Sequence, residues 1–216
     1  MRKRRLGSIE FYETGNGNKT LLSVGKIHGD EEYSKYGILE ALKEIENGFS
    51  SIKYIAIPEV NPTKNHNYNC VNINRDFGIF GENKTRELTE MVKTYNPKFI
   101  IDHHDNLETA FGFLIILPST YTKNEYEIAK DLVKHICFNK NFINPCDDLL
   151  EVDNKYLRFL SVGVYSWDDN NSLTGYHKKG FVVEVDTKIV SKETAIEIHK
   201  ECDLFLAKEL EKLKIQ

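Results

Sequence analysis

The chain has 216 residues, 40% hydrophobic and 29% charged, with a formal net charge of −4 and an isoelectric point near 6.0. These values fit one globular domain with a sizeable core and exclude collagen-like, disordered and disulfide-scaffold classes. They give no electrostatic reason to expect nucleic acid as a partner, and no apolar run approaches the ~18 residues of a membrane span.

The first segment, Met1–Arg5, is basic but lacks an apolar continuation. It reads as a solvated chain end and not as a secretory signal or a membrane contact. The four cysteines, Cys70, Cys137, Cys146 and Cys202, form no C-x-x-C pair and read as reduced thiols of a cytoplasmic protein. Ser8–Thr14 and Thr20–Ile27 read as strands, and the turn Gly15-Asn16-Gly17-Asn18 between them suggests a hairpin. A helix follows, with Tyr36, Leu39, Leu42 and Ile45 on its apolar face. Ser51–Ile57 alternates as a strand, and the Asn-rich stretch Pro58–Phe80 reads as a long loop. Lys84–Tyr95 is a predicted helix, Lys98–Asp102 and Gly112–Leu117 are strands, and Glu125–Ile136 is another helix. Residues 139–180 read as irregular, and Phe181–Val185 reads as a buried strand. Ser191 caps a last helix whose apolar face is Ala195, Ile198, Cys202, Phe205 and Leu210. Alternating strands and helices give an α/β fold with a mixed central β-sheet flanked by helices. Sheets of this kind bind at the carboxyl ends of their strands.

Three strand ends carry chemistry. After Leu22–Ile27 come His28 and Glu31, an imidazole and a carboxylate on a strand-to-helix turn, a donor pair that suits zinc. The apolar strand Phe99–Ile101 ends in Asp102-His103-His104-Asp105. The two-residue period of a strand puts Asp102 and His104 on one face and turns His103 to the other. A surface loop start accounts for His103 and Asp105, but less comfortably for Asp102 with His104. Glu184 lies within Phe181-Val-Val-Glu-Val-Asp186, where desolvation would raise its carboxyl towards the range of a general base.

The ordered set His28/Glu31, Asn61-Pro62, Asn74-Arg75, Asp102/His104 and Glu184 resembles the zinc carboxypeptidase superfamily. Within it, the set is most similar to the succinylglutamate desuccinylase/aspartoacylase group. The resemblance spans roughly residues 20–190, and its specificity comes from the order of five motifs, none specific alone. It implies one zinc per chain, with His28, Glu31 and His104 as ligands and an open position for water. It also implies Glu184 as the general base, with Asn74 and Arg75 holding a substrate carboxylate. Asp102 and Tyr176 are supporting positions, Tyr176 as one aromatic candidate, with Tyr165 and Trp167, for substrate specificity.

Two departures stand out. Asn72 occupies the position where the group has an aspartate behind a histidine ligand; its amide oxygen can orient His28 without a full charge. No arginine lies between Pro62 and Ile73, where the group holds its oxyanion, so Lys64, His66 or Asn67 must substitute or the metal must act alone.

The resemblance thus implies a zinc metallohydrolase that cleaves an amide bond beside a substrate carboxylate, in the manner of an N-acyl amino acid deacylase. A carboxypeptidase acting on short peptides and a catalytically impaired metal- or ligand-binding relative are the alternatives. Residues 1–216 are expected to form a single catalytic domain without the C-terminal β-rich extension common in the aspartoacylase group. The expected partner is a carboxylate-bearing small molecule.

Overall fold

The computed structural model describes residues 1–77, 83–105, 112–118, 120–139, 150–152, 156–158, 162–167 and 172–213. Residues 75, 83, 138, 139, 150–152, 156–158 and 162–167 are described by their backbone alone. Among the described residues, ten strands form one mixed sheet, as the alternation of elements predicts. They are β1 (Arg2–Leu6), β2 (Ile9–Thr14), β3 (Lys19–Gly25), β4 (Ile52–Ile57), β5 (Phe99–Asp105), β6 (Phe113–Pro118), β7 (Leu150–Val152), β8 (Tyr156–Arg158), β9 (Val162–Trp167) and β10 (Phe181–Val185). Their spatial order is β1-β2-β4-β3-β5-β10-β6-β9-β8-β7. The central four, β4, β3, β5 and β10, run parallel, and β6 returns antiparallel to β10. The helices are α1 (Tyr33–Gly48), α2 (Ile73–Asp76), α3 (Asn83–Tyr95), α4 (Lys123–Lys134), α5 (Leu173–His177) and α6 (Lys192–Lys212).

Alternation along the central strands divides the core in two. Leu21, Tyr54, Ile101, Phe181 and Val183 pack with α1, α4 and α6. Leu22, Val24, Ile55 and Ile100 pack on the other face with α2 and α3. These strands are apolar on both faces because both are covered, as parallel sheets require. The chain leaves β3 for β4 on one side and later places β5 on the other. Such a switch point opens a crevice at the carboxyl ends of neighbouring strands. Among the described residues, no helix is long and apolar enough to cross a membrane.

Several expectations are corrected. β2 and β3 do not form a hairpin, because β4 lies between them. The glycines serve a close approach instead: a Cβ at Gly15 or Gly17 would lie 2.1 or 1.9 Å from the carbonyl oxygen of Ile52 or Ser51. The basic N-terminal segment is edge strand β1, not a loose end; its Lys3 and Arg4 pair with Glu10 and Glu13 of β2. On α1 the buried face is Ser34, Gly37, Ile38, Ala41, Leu42 and Ile45, whereas Tyr36 is exposed. A strict threefold spacing drifts off a face that repeats every ~3.6 residues. The stretch read as one loop from Pro58 contains α2, and residues 139–180 contribute β7–β9 and α5. The last helix begins as expected, with the Ser191 hydroxyl accepting from the Thr194 N–H at 3.1 Å.

Candidate metal centre

The loop after β3 brings His28 and Glu31 over the end of β5. Lys26 leaves the strand with φ +49, and its carbonyl accepts from the Asn61 N–H at 2.9 Å. The Gly29 N–H donates to the Asn65 carbonyl at 3.0 Å. A Cβ on Gly29 would sit 2.3 Å from that oxygen, so the approach demands glycine here. Asn61 organises the opposing loop: its Oδ1 accepts from the Thr63 N–H (3.0 Å) and hydroxyl (2.7 Å), and its Nδ2 donates to the Asn65 carbonyl at 3.1 Å. This is the turn that an Asn-Pro-Thr sequence favours.

The ligand atoms of His28, Glu31 and His104 all lie within 4.8 Å of one another, and all three residues are buried. His104 Nδ1 is 2.9 Å from Glu31 Oε2, and its Nε2 is 3.4 Å from Asp102 Oδ1. One imidazole therefore stands between two carboxylates, the arrangement by which a carboxylate orients a metal-binding histidine. Asn74 Nδ2 lies 3.4 Å from His28 Nε2 and 3.2 Å from His104 Nε2, so Asn74 is part of the cluster. Glu184 is the direct register partner of His104 across the parallel β5–β10 pair, which puts both on the same face of the sheet.

The site's electrostatics favour a cation. Among the described residues, both Asp102 oxygens, Glu184 Oε2, Asn72 Oδ1 and Asn74 Oδ1 are buried without a hydrogen bond, Asp102 Oδ1 keeping only its longer ion-pair contact to His104. Burial pushes the Glu31 carboxyl up to about 8, against the opposing pull of His104. Burial likewise pushes Glu184 up to about 7; His104 opposes this, and the charges of Asp102 and Asp105 add to it. For His104, burial favours the neutral ring, but the charges of Glu31, Asp102 and Glu184 outweigh it and raise the pKa well above the ordinary value. The metal-free cluster thus retains protons at neutral pH that a cation would displace. Two nitrogens and one carboxylate as close-set donors, with unsatisfied oxygens around them, fit a divalent metal of zinc's preferences.

Other sequence-predicted residues fall as follows. The His66 ring stacks on His28 with centroids 3.8 Å apart and is itself half exposed, beside Asp30 at 3.2 Å. His28 Nδ1 faces the His66 backbone carbonyl at 3.4 Å. Asn72 Oδ1 is buried without a hydrogen-bond partner among the described residues. Tyr176 is exposed on α5, and its ring meets Phe77 at 6.1 Å and His177 at 5.0 Å. Arg75 lies in α2 next to Asn74, but its side chain, like those of Tyr165 and Trp167, lies outside the described residues.

Sequence reasoning missed His103 and Asp105. Both are buried, not exposed at a loop start, and they face α1 and α6. Asp105 Oδ2 accepts from the N–H groups of Tyr33 (2.7 Å) and Ser34 (2.8 Å), which caps α1. Its Oδ1 accepts from His199 Nε2 at 2.9 Å. His199 and Asp203, four apart within the apolar stripe of α6, were the available signal.

Fold and site together define an α/β protein with a His-Glu-His centre at a strand switch point. No family model and no curated protein matches the sequence. Solved structures match in fold. The metallo-carboxypeptidase of Burkholderia cenocepacia aligns with TM-score 0.69 and 10% identity over 94% of this chain and 61% of its own. A metallo-carboxypeptidase of Pseudomonas aeruginosa, in complex with (2-guanidinoethylmercapto)succinic acid, gives 0.69 and 12% over 95% and 62%. An aspartoacylase family protein of Mesorhizobium loti gives 0.58 and 18% over 95% and 63%. This chain therefore spans less than two thirds of the length of these three proteins. The architecture is the zinc carboxypeptidase-like fold, which agrees with the resemblance read from the sequence.

Proposed function

We propose that the protein is a zinc-dependent hydrolase, with one zinc per chain, that cleaves an amide bond next to a substrate carboxylate. The observation that carries this reading is the convergence of His28, Glu31 and His104 opposite Glu184, at the carboxyl ends of β3, β5 and β10. His28, Glu31 and His104 would hold the metal; when bound, it supplies Lewis acidity towards a carbonyl and acidifies water. Glu184 takes a proton at Oε2 and returns it to the leaving amine, a role suited to a carboxyl poised near neutrality. Asp102 holds the Nε2 side of His104. Asn74, within reach of the same centre, orients the substrate, and Arg75 binds its carboxylate.

The substrate class we assign is an N-acyl amino acid. The ordered motifs, most similar to the desuccinylase/aspartoacylase group, support it, as does the Mesorhizobium structural neighbour. Short peptides are the second reading, favoured by the higher TM-scores of the two carboxypeptidases.

The test is metal analysis of the purified chain, followed by a hydrolysis screen of acyl amino acids and peptides on wild type and Glu184→Gln. We expect about one zinc per chain, lost in His28→Ala and His104→Ala, and hydrolysis that Glu184→Gln abolishes. A chain whose metal content ignores both histidine substitutions would overturn the metal centre. Tight zinc with no turnover of any substrate would leave a metal-binding relative without catalysis.

A further inference from the structure

Behind the metal centre, on the opposite face of the sheet, lies a second polar cluster that the proposed chemistry does not use. Asp105, His199, His103 and Asp203 form a continuous buried chain, every member at most 2% exposed. Asp105 Oδ1 lies 2.9 Å from His199 Nε2, and His199 Nδ1 lies 2.9 Å from His103 Nδ1. His103 Nε2 in turn meets Asp203 Oδ1 at 3.3 Å, and Asp203 Oδ2 accepts from the hydroxyls of Ser23 (2.9 Å) and Tyr54 (2.7 Å).

The chain ends on the ligands. Asp105 directly follows His104, and the two N–H groups it caps belong to the first turn of α1, two and three residues after Glu31. The α1 N-cap residue, Glu32, makes no side-chain cap of its own. Asp105 is thus the clasp that fastens the Glu31 loop to the His104 strand, and among the described residues only His199 holds its second oxygen. α1 also presses on this histidine: a Cβ on Gly37 would lie 2.5 Å from His199 Cβ.

We propose that His199, held by His103 and Asp203, is a positioning residue for the metal centre: through Asp105 it fixes the spacing of Glu31 and His104. The inference rests on the metal reading above. It predicts that a side chain some distance from any ligand sets metal affinity, because ligands held in place need no reorganisation on binding.

The test measures zinc affinity of the full chain by competition with a chromophoric chelator, alongside the visible spectrum after loading with cobalt(II). His199→Leu is expected to weaken zinc about 10–100-fold, as outer partners of metal ligands typically do, and to shift the cobalt spectrum. His199→Gln, whose amide N–H falls near the Nε2 position, is expected to restore most of the affinity and the wild-type spectrum. His135→Leu is the control: it breaks a histidine–carboxylate pair between the end of α4 and Glu201 of α6, at 3.0 Å, and should leave zinc affinity unchanged. Folded His199→Leu with wild-type affinity, or His199→Gln as weak as His199→Leu, would overturn the proposal. Should His199→Leu not fold, His199→Gln against His199→Asn decides it, since the shorter amide cannot reach Asp105; equal affinities would overturn it. Wild type that binds no zinc would overturn the metal reading as well.

Discussion

The four residues that end β5 serve two faces of one sheet, and the faces treat buried polarity in opposite ways. On the far face, His103 and Asp105 find partners for their buried polar groups. On the near face, Asp102 is fully buried, and among the described residues neither its oxygens nor Glu184 Oε2 has a hydrogen bond. A buried polar group without a partner costs about 1–3 kcal/mol. The far face avoids that cost and is architecture. The near face bears it, and in the proposed metal centre a bound cation would recover the cost. Satisfaction of polar groups therefore separates structure from function here better than residue type does, because both faces use the same His and Asp.

The largest test of this contrast is His104→Ala. It leaves two of three ligands, and zinc content by metal analysis should fall from about one per chain to background. Next is Glu184→Gln. Loss of the proposed general base should lower kcat about 10²–10⁴-fold while zinc affinity changes little, and a parallel loss of zinc would reassign Glu184 to the ligand set.

On the far face, His103→Leu strands Asp203 and the Nδ1 of His199. Denaturant unfolding should show a loss of about 1–3 kcal/mol, the usual cost of leaving a buried polar group without its partner. A loss below about 1 kcal/mol would mean that this network is not architectural.

The faces should also respond oppositely to pH. Without metal, Glu31 and Glu184, raised to about 8 and 7, hold protons in the folded state that the unfolded chain releases. Raised carboxyls of this kind lose their stabilising effect as pH rises from about 4.5 through those values. Asp105 and His199 are both depressed. Their contributions are intact at neutral pH and fade with acid, His199's below about 6.5 and Asp105's below about 4. The stabilisation conferred by zinc should therefore grow between pH 5 and 8, by on the order of a few kcal/mol. A pH-independent zinc effect would show that the ligand cluster holds no excess protons.

The smallest expected effect is Asp102→Leu. Asp102 makes no hydrogen bond among the described residues and lies 3.4 Å from His104 Nε2, so its removal should change the stability of the metal-free chain by no more than about 1 kcal/mol, while zinc affinity falls. Clear destabilisation of the metal-free chain would place Asp102 with the far face.

Much of this protein is legible in the sequence. The period-two alternation at β5 separates Asp102 and His104 from His103, and the strand-to-helix position of His28 and Glu31 marks the crevice. The central strands β4, β5, β6 and β10 and the helices α3, α4 and α6 follow from local pattern, because each buries a face that repeats with its own geometry. What stayed hidden depends on partners distant in the chain. The Gly15–Asn18 turn looks like a hairpin loop, but strand order is a choice among long-range pairings, and β4 competes successfully for both neighbours.

The opening composition was compatible with one globular domain and showed seven histidines without saying which mattered. Local sequence determined the chemistry of each strand end, because side-chain direction along a strand is set by the backbone. Only the tertiary structure decided which polar groups would find partners. It joined His199 and Asp203 of α6 to His103 and Asp105, and it left Asp102 and Glu184 facing His104. Partnership is a property of packing across the sheet, and no local pattern contains it.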